Sequence, residues 1–115
     1  MALKNVLIAV SDIDKSKKFY HDLFGLTVLR EFEGNAMLTE GLVLQDKGLW
    51  TDEINDAVTI GNGSEIFFEE VDFDAFMVRA KEYLGQALTP SINSWNLRSI
   101  RFTDPDGHLI EVAEK

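Results

Sequence analysis

The chain has no cysteine. A disulfide framework, a thiolate metal site and a cysteine nucleophile are thereby excluded. Histidine is scarce as well. His21 and His108 are the only 2, which excludes a multi-histidine zinc centre. Basic residues are few: 11 Lys and Arg stand against 20 Asp and Glu, a formal net charge of −9. Nucleic-acid binding rests on cationic side chains that displace counterions, so this balance argues against it, and against anionic membranes for the same reason. Long apolar runs are missing too. The opening MALKNVLIAV is broken by Ser11-Asp12, is too short to span a bilayer and carries no cleavage site. Together with the lack of cysteine, this points to the cytoplasm. No stretch resembles a phosphate loop, a serine elbow or a dinucleotide fingerprint.

What is present suits a soluble globular chain. Its 115 residues are 45% hydrophobic and 10% aromatic, enough for one domain or two small halves that share a core. The negative field serves solubility and also attracts cationic ligands.

Lys4 to Val10 is apolar and β-branched, a strand with little alternation. Ser11, Asp12 and Asp14 form a capping cluster for a helix whose stripe runs Ile13, Lys17, Tyr20, Phe24, widened by Phe19 and Leu23. Gly25 is its stop. Leu26–Phe32, Ala36–Thr39 and Leu42–Gln45 read as strands separated by turns at Glu33-Gly34-Asn35 and Glu40-Gly41. Asp46 to Thr59 has no clean period and reads as a connection with room for a helical turn. Gly61-Asn62-Gly63 is a turn. The pattern then restarts. Ser64–Glu70 is a strand, and Asp72 caps a helix with Phe73, Phe76, Met77, Ala80 and Leu84 on one face. Gly85 ends that helix. Strands follow at Gln86–Thr89, Trp95–Phe102 and Leu109–Ala113, the last two joined by the tight turn Asp104-Pro105-Asp106-Gly107.

Both halves thus read strand, helix, three strands. Residues repeat at an offset of 60: Asp12 with Asp72, Asp14 with Asp74, Phe24 with Leu84, Gly25 with Gly85. Gly41-Leu-Val-Leu-Gln45 mirrors Gly107-His-Leu-Ile-Glu111. An internal duplication follows. The first module covers about 1–46, a linker about 47–62, and the second module about 63–115.

Three stretches carry a family resemblance: Asn5 to Asp14, Phe19 to Leu26 (FYHDLFGL), and Phe102 to Glu111 (FTDPDGHLIE). Together they resemble the vicinal oxygen chelate superfamily, which includes glyoxalase I, extradiol dioxygenases and the fosfomycin- and bleomycin-resistance proteins. The resemblance implies an α+β fold of two tandem βαβββ modules whose curled mixed sheets surround a cleft. It also implies a homodimer. Metal-dependent members place ligands on the first and last strands of each half. Carried onto this chain, those positions are Asn5, Gln45, Glu65 and Glu111. Asn5 departs from the family's common histidine. Counting from Asp72 gives Glu65, whereas counting from Val71 gives Ile66, and a slip of one residue exchanges the two sheet faces. The set is all oxygen donors with two carboxylates. It suits Mg²⁺, Mn²⁺ or Ca²⁺ and holds none of them tightly.

Glu111 is the candidate proton acceptor or ion ligand. Trp50, Phe67, Trp95 and Glu69 are candidates for the wall of a ligand cleft. The first reading of function is a small-molecule-binding protein of the bleomycin-resistance kind, without a tight metal. Its ligand would be cationic or aromatic, and neither nucleic acid nor membrane is a partner. The alternatives are a metal-dependent lyase or isomerase of the glyoxalase kind, a dioxygenase-like oxidoreductase, and a non-catalytic interaction module.

Overall fold

The computed structural model describes residues 1–54 and 63–115, the side chains of residues 51–54 excepted. The chain divides into two units, Met1–Ile60 and Gly61–Lys115. The Gly61-Asn62 part of the expected turn lies outside the described residues. Among the described residues no helix is long and apolar enough to cross a membrane.

The first unit runs β1 (Val6–Val10), α1 (Ile13–Phe24), β2 (Val28–Phe32), β3 (Asn35–Leu38), a 3₁₀ turn at Thr39–Gly41, β4 (Leu42–Asp46) and α2 (Lys47–Ile54). The second runs β5 (Glu65–Glu70), α3 (Phe73–Leu84), β6 (Ser91–Ile92), β7 (Arg98–Thr103) and β8 (Leu109–Glu114). Each forms a four-stranded mixed sheet, in the orders β1-β4-β3-β2 and β5-β8-β7-β6. First and last strands pair in parallel, and the rest are antiparallel. The fold is the α+β tandem of βαβββ modules that the sequence leads one to expect.

Both main helices start and stop where their sequences direct. Asp12 accepts a hydrogen bond from the Lys15 amide at 3.1 Å, and Asp72 accepts one from Ala75 at 3.2 Å. These side chains satisfy donors that the first turn leaves open. Gly25 closes α1 with φ +70° and Gly85 closes α3 with φ +65°. The buried stripe of α1 is Ser16, Phe19, Tyr20 and Leu23, rotated from the expected one. Lys17 is displaced from the core because its ammonium pairs with Glu31 on β2 and Asp14. Phe19, Tyr20 and Leu23 cover the face of the first sheet that carries Ile8, Val10, Ala36, Leu38 and Leu44. In the second unit Phe76 of α3 stacks on Phe102 of β7, centroids 6.4 Å apart, over buried Ile110 and Val112.

Three expectations are corrected. Residues 47–54, read as a connection with room for a helical turn, form a full two-turn helix, and residues 55–59 of that segment lie outside the described residues. Asp46 Oδ1 receives the Gly48 amide at 2.8 Å, and Leu49 lies against Gly34, so tertiary contact outweighs weak propensity. The strand placed at Gln86–Thr89 forms instead at Ser91–Ile92, past Pro90, which has no amide to give a ladder. Trp95 is not in a strand. Asn93 Oδ1 takes the amides of Trp95 and Leu97 at 2.9 and 3.0 Å, which folds 93–97 into a turn and delays β7 to Arg98.

Candidate functional site

In a sheet, residues paired across strands share a face. In the first unit one such row crosses all four strands: Leu7, Val43, Met37 and Arg30. The next row is Ala9, Gln45, Asn35 and Phe32. Both rows lie on the face turned away from α1. Residues from both rows and Asn5, just before β1, line a cavity of about 280 Å³: Asn5, Leu7, Arg30, Phe32, Asn35, Met37 and Val43. Its walls are mainly apolar, and its one charged group is the Arg30 guanidinium. Among the described residues Arg30 makes no ion pair. The amide of Asn35 is held in place, since Gln45 Nε2 donates to its Oδ1 at 2.8 Å and its own Nδ2 donates to the Phe32 carbonyl at 3.1 Å.

In the second unit the equivalent face carries the row Phe67, Glu111, Arg101, flanked by Glu65 and Leu109 on one side and Glu69, Ala113 and Ser99 on the other. The turn Asp104-Pro105-Asp106-Gly107 sets this register. Asp104 is buried, and its carboxylate accepts the Asp106 and His108 amides, each at 2.9 Å. Glu111 is 2% exposed. Its Oε2 accepts from Asn93 Nδ2 at 2.9 Å and its Oε1 from Arg101 Nη2 at 3.0 Å. Arg101 Nε donates to Glu65 Oε2 at 3.0 Å, so one guanidinium bridges two carboxylates. Burial pushes the Glu111 carboxyl up. Hydrogen bonds from Asn93 and Ser99 and the Arg101 charge outweigh that and hold it below the usual glutamate range. Glu65 and Glu111 in turn raise the already high pKa of Arg101.

The four residues at the family's metal positions divide by unit. Asn5 and Gln45 belong to the first, Glu65 and Glu111 to the second. The strand pairing settles the Glu65–Ile66 alternative: Glu65 is on the Glu111 face, whereas Ile66 sits beside Ile110 on the helix face. These donors do not fit a divalent ion. Both Glu111 oxygens are engaged, and the Arg101 guanidinium stands between the two carboxylates. Among the described residues no three His, Asp or Glu side chains cluster as a metal would require.

The proposed wall residues separate in the same way. Phe67 and Glu69 share the Glu111 face. Trp95 stands on the 93–97 turn, 78% exposed. Trp50 is in α2 of the first unit, half-buried, with an indole N–H that has no partner among the described residues. Sequence reading missed Arg30, Asn35, Asn93 and Arg101. A signal for two of them existed. Asn35 precedes Gln45 by ten residues, and Arg101 precedes Glu111 by ten.

The fold and these positions define a member of a known class. Residues 3–115 match the model of the glyoxalase-like domain, and the chain belongs to that family, within the vicinal oxygen chelate superfamily. It is 31% identical to the glutathione transferase FosA of Serratia marcescens, covering 96% of this chain and 79% of that one. To the metallothiol transferase FosB of Staphylococcus epidermidis it is 30% identical, covering 96% and 80%. A crystal structure of a protein of unknown function from Agrobacterium tumefaciens superposes with a TM-score of 0.86 at 29% identity, covering 100% of this chain and 94% of that one.

Proposed function

We propose that this protein binds a small organic molecule in the cavity of the first unit, without a tightly held metal. The observation that carries the reading is the cavity of about 280 Å³, walled by Leu7, Phe32, Met37 and Val43 with Arg30 as its single charge. A few fixed polar groups on an apolar wall are what orient a small ligand. The ligand class is an apolar or aromatic body carrying a carboxylate or another hydrogen-bond-accepting end. Phe32 and Met37 face the body, and Arg30 with the Asn5 amide faces the acceptor. Local charge, rather than the net −9, sets this preference. The expectation of a cationic ligand is accordingly not adopted.

Methyl and amide NMR titration tests it, with phenylacetate, its neutral amide and phenethylamine as probes. The expected result is perturbation of the Leu7, Met37 and Val43 methyls by phenylacetate, with Arg30→Gln weakening that ligand about tenfold and sparing the amide. Equal or tighter binding of phenethylamine at these methyls, or no perturbation by any of the three, overturns the reading.

A second reading, a metal-dependent transferase, is favoured by the likeness to FosA and FosB. Elemental analysis after chelator-free purification separates the two: near one divalent ion per chain supports the transferase.

A further inference from the structure

Arg101 and Glu111 form a cross-strand pair whose geometry has a counterpart in the other half. Asn35 and Gln45 are paired in the same way on β3 and β4. In each half the last-strand residue at a family metal position is held by the residue opposite it on the preceding strand. In the first half both partners are neutral amides. In the second they are a guanidinium and a buried carboxylate.

We propose that Arg101 is a resident cation, a guanidinium that stands where an ion would otherwise bridge Glu65 and Glu111, and that it closes this site to divalent metals. Four observations carry this. Glu111 is 2% exposed, so its charge needs a partner inside the protein. The partner is forked, with Nε on Glu65 and Nη2 on Glu111, each at 3.0 Å. Asn93 takes the remaining Glu111 oxygen at 2.9 Å. Finally, Arg101 lies directly opposite Glu111 in the β7–β8 ladder, so its backbone cannot move away without breaking that pairing. A divalent ion entering here has to displace a charge that is tethered, hydrogen-bonded to both carboxylates and never deprotonated. Beneath the guanidinium lies a latent oxygen site of two carboxylates with the buried Ser99 alongside, which becomes available when the charge is removed. The inference is independent of the first-unit cavity, with which it shares no residue.

The test is Mn²⁺ titration followed by electron paramagnetic resonance and water-proton relaxation. It uses the unaltered protein, Arg101→Met, Arg101→Lys and the double variant Arg101→Met/Glu111→Gln. The unaltered protein is expected to bind Mn²⁺ no more tightly than about 1 mM, the weak end of oxygen-donor sites. Arg101→Met should bind at least about tenfold more tightly. The double variant should lose that gain. Arg101→Lys keeps the charge and should stay closed. Tight binding by the unaltered protein, or a folded Arg101→Met that binds no better than it, overturns the proposal. If circular dichroism shows the Arg101 variants unfolded, the Arg101 Nε–H resonance of the unaltered protein decides. It should stay unbroadened at micromolar Mn²⁺, and broadening there overturns the proposal. Failure here leaves phenylacetate binding at Leu7, Met37 and Val43 untouched, so the two readings stand or fall separately.

Discussion

Arg101 and Glu111 face each other across the β7–β8 ladder, Nη2 to Oε1 at 3.0 Å, just as Asn35 and Gln45 do across β3–β4. The duplicated fold has kept the pairing geometry and changed the chemistry from amide–amide to guanidinium–carboxylate. The consequence is a carboxylate that is buried yet ionised, which makes it a source of pH-dependent stability.

Because Glu111 has its pKa lowered on folding, it binds its proton less readily in the native than in the unfolded chain. Its contribution is therefore full above the ordinary glutamate range. It is lost as pH falls through that range and down to the depressed folded value. Urea denaturation midpoints measured from neutral pH downward should show this fall. In Glu111→Gln the midpoint should be lower at neutral pH and the acid slope shallower. An unchanged slope removes Glu111 as its source.

Asn93 ties the same carboxylate to a loop. Its Nδ2 donates to Glu111 and its Oδ1 takes the Trp95 and Leu97 amides. Asn93→Ala should cost about 1–3 kcal/mol, since three hydrogen bonds lose a partner and one of them involves a charge. Amide exchange at Trp95 and Leu97 should accelerate. Asn93→Asp keeps the acceptor for those amides and should preserve their protection, while a further carboxylate beside Glu111, in place of the amide donor, should raise its pKa.

Two glycines of the first unit separate conformational strain from crowding. Gly25 has φ +70° and open space where a Cβ would stand, so Gly25→Ala should cost about 1 kcal/mol through backbone strain alone. Gly34 has φ +81°, and a Cβ there meets Leu49 Cδ1 at 2.8 Å. Gly34→Ala should cost about 1–2 kcal/mol for the left-handed backbone and more for the displacement of Leu49. Chemical denaturation of both variants ranks them, and equal losses show that Leu49 moves freely.

The first sheet ends on β1 and β2, and outside the cavity both carry exposed apolar side chains: Val6 on β1, Val28 and Leu29 on β2. Edges of this kind call for a cover. A second copy of the chain is the proposed cover, and sedimentation at tens of micromolar should return twice 13.0 kDa. Leu29→Glu, on the bulge of β2, should shift the mass toward the monomer. A monomer mass for the unaltered protein refutes the dimer.

Much of the fold was legible in the residues because its signals are local. Asp12 and Asp72 cap, Gly25 and Gly85 stop, and Asp104 to Gly107 turns the chain, each through contacts within four residues. These local elements also revealed the duplication and, through it, Glu111. What only the tertiary structure decided was the state of that carboxylate. Glu65 reaches Arg101 across 36 residues and Asn93 reaches Glu111 across 18, through strand pairings that local propensity does not encode. The face of Glu65 depended on a register of one residue, which is set by the β5–β8 ladder and not by Glu65 itself. The sequence determined that an acidic residue stands at the end of the second module. That this residue is paired with a guanidinium was decided by the strand beside it, because a buried charge needs an opposite charge within reach.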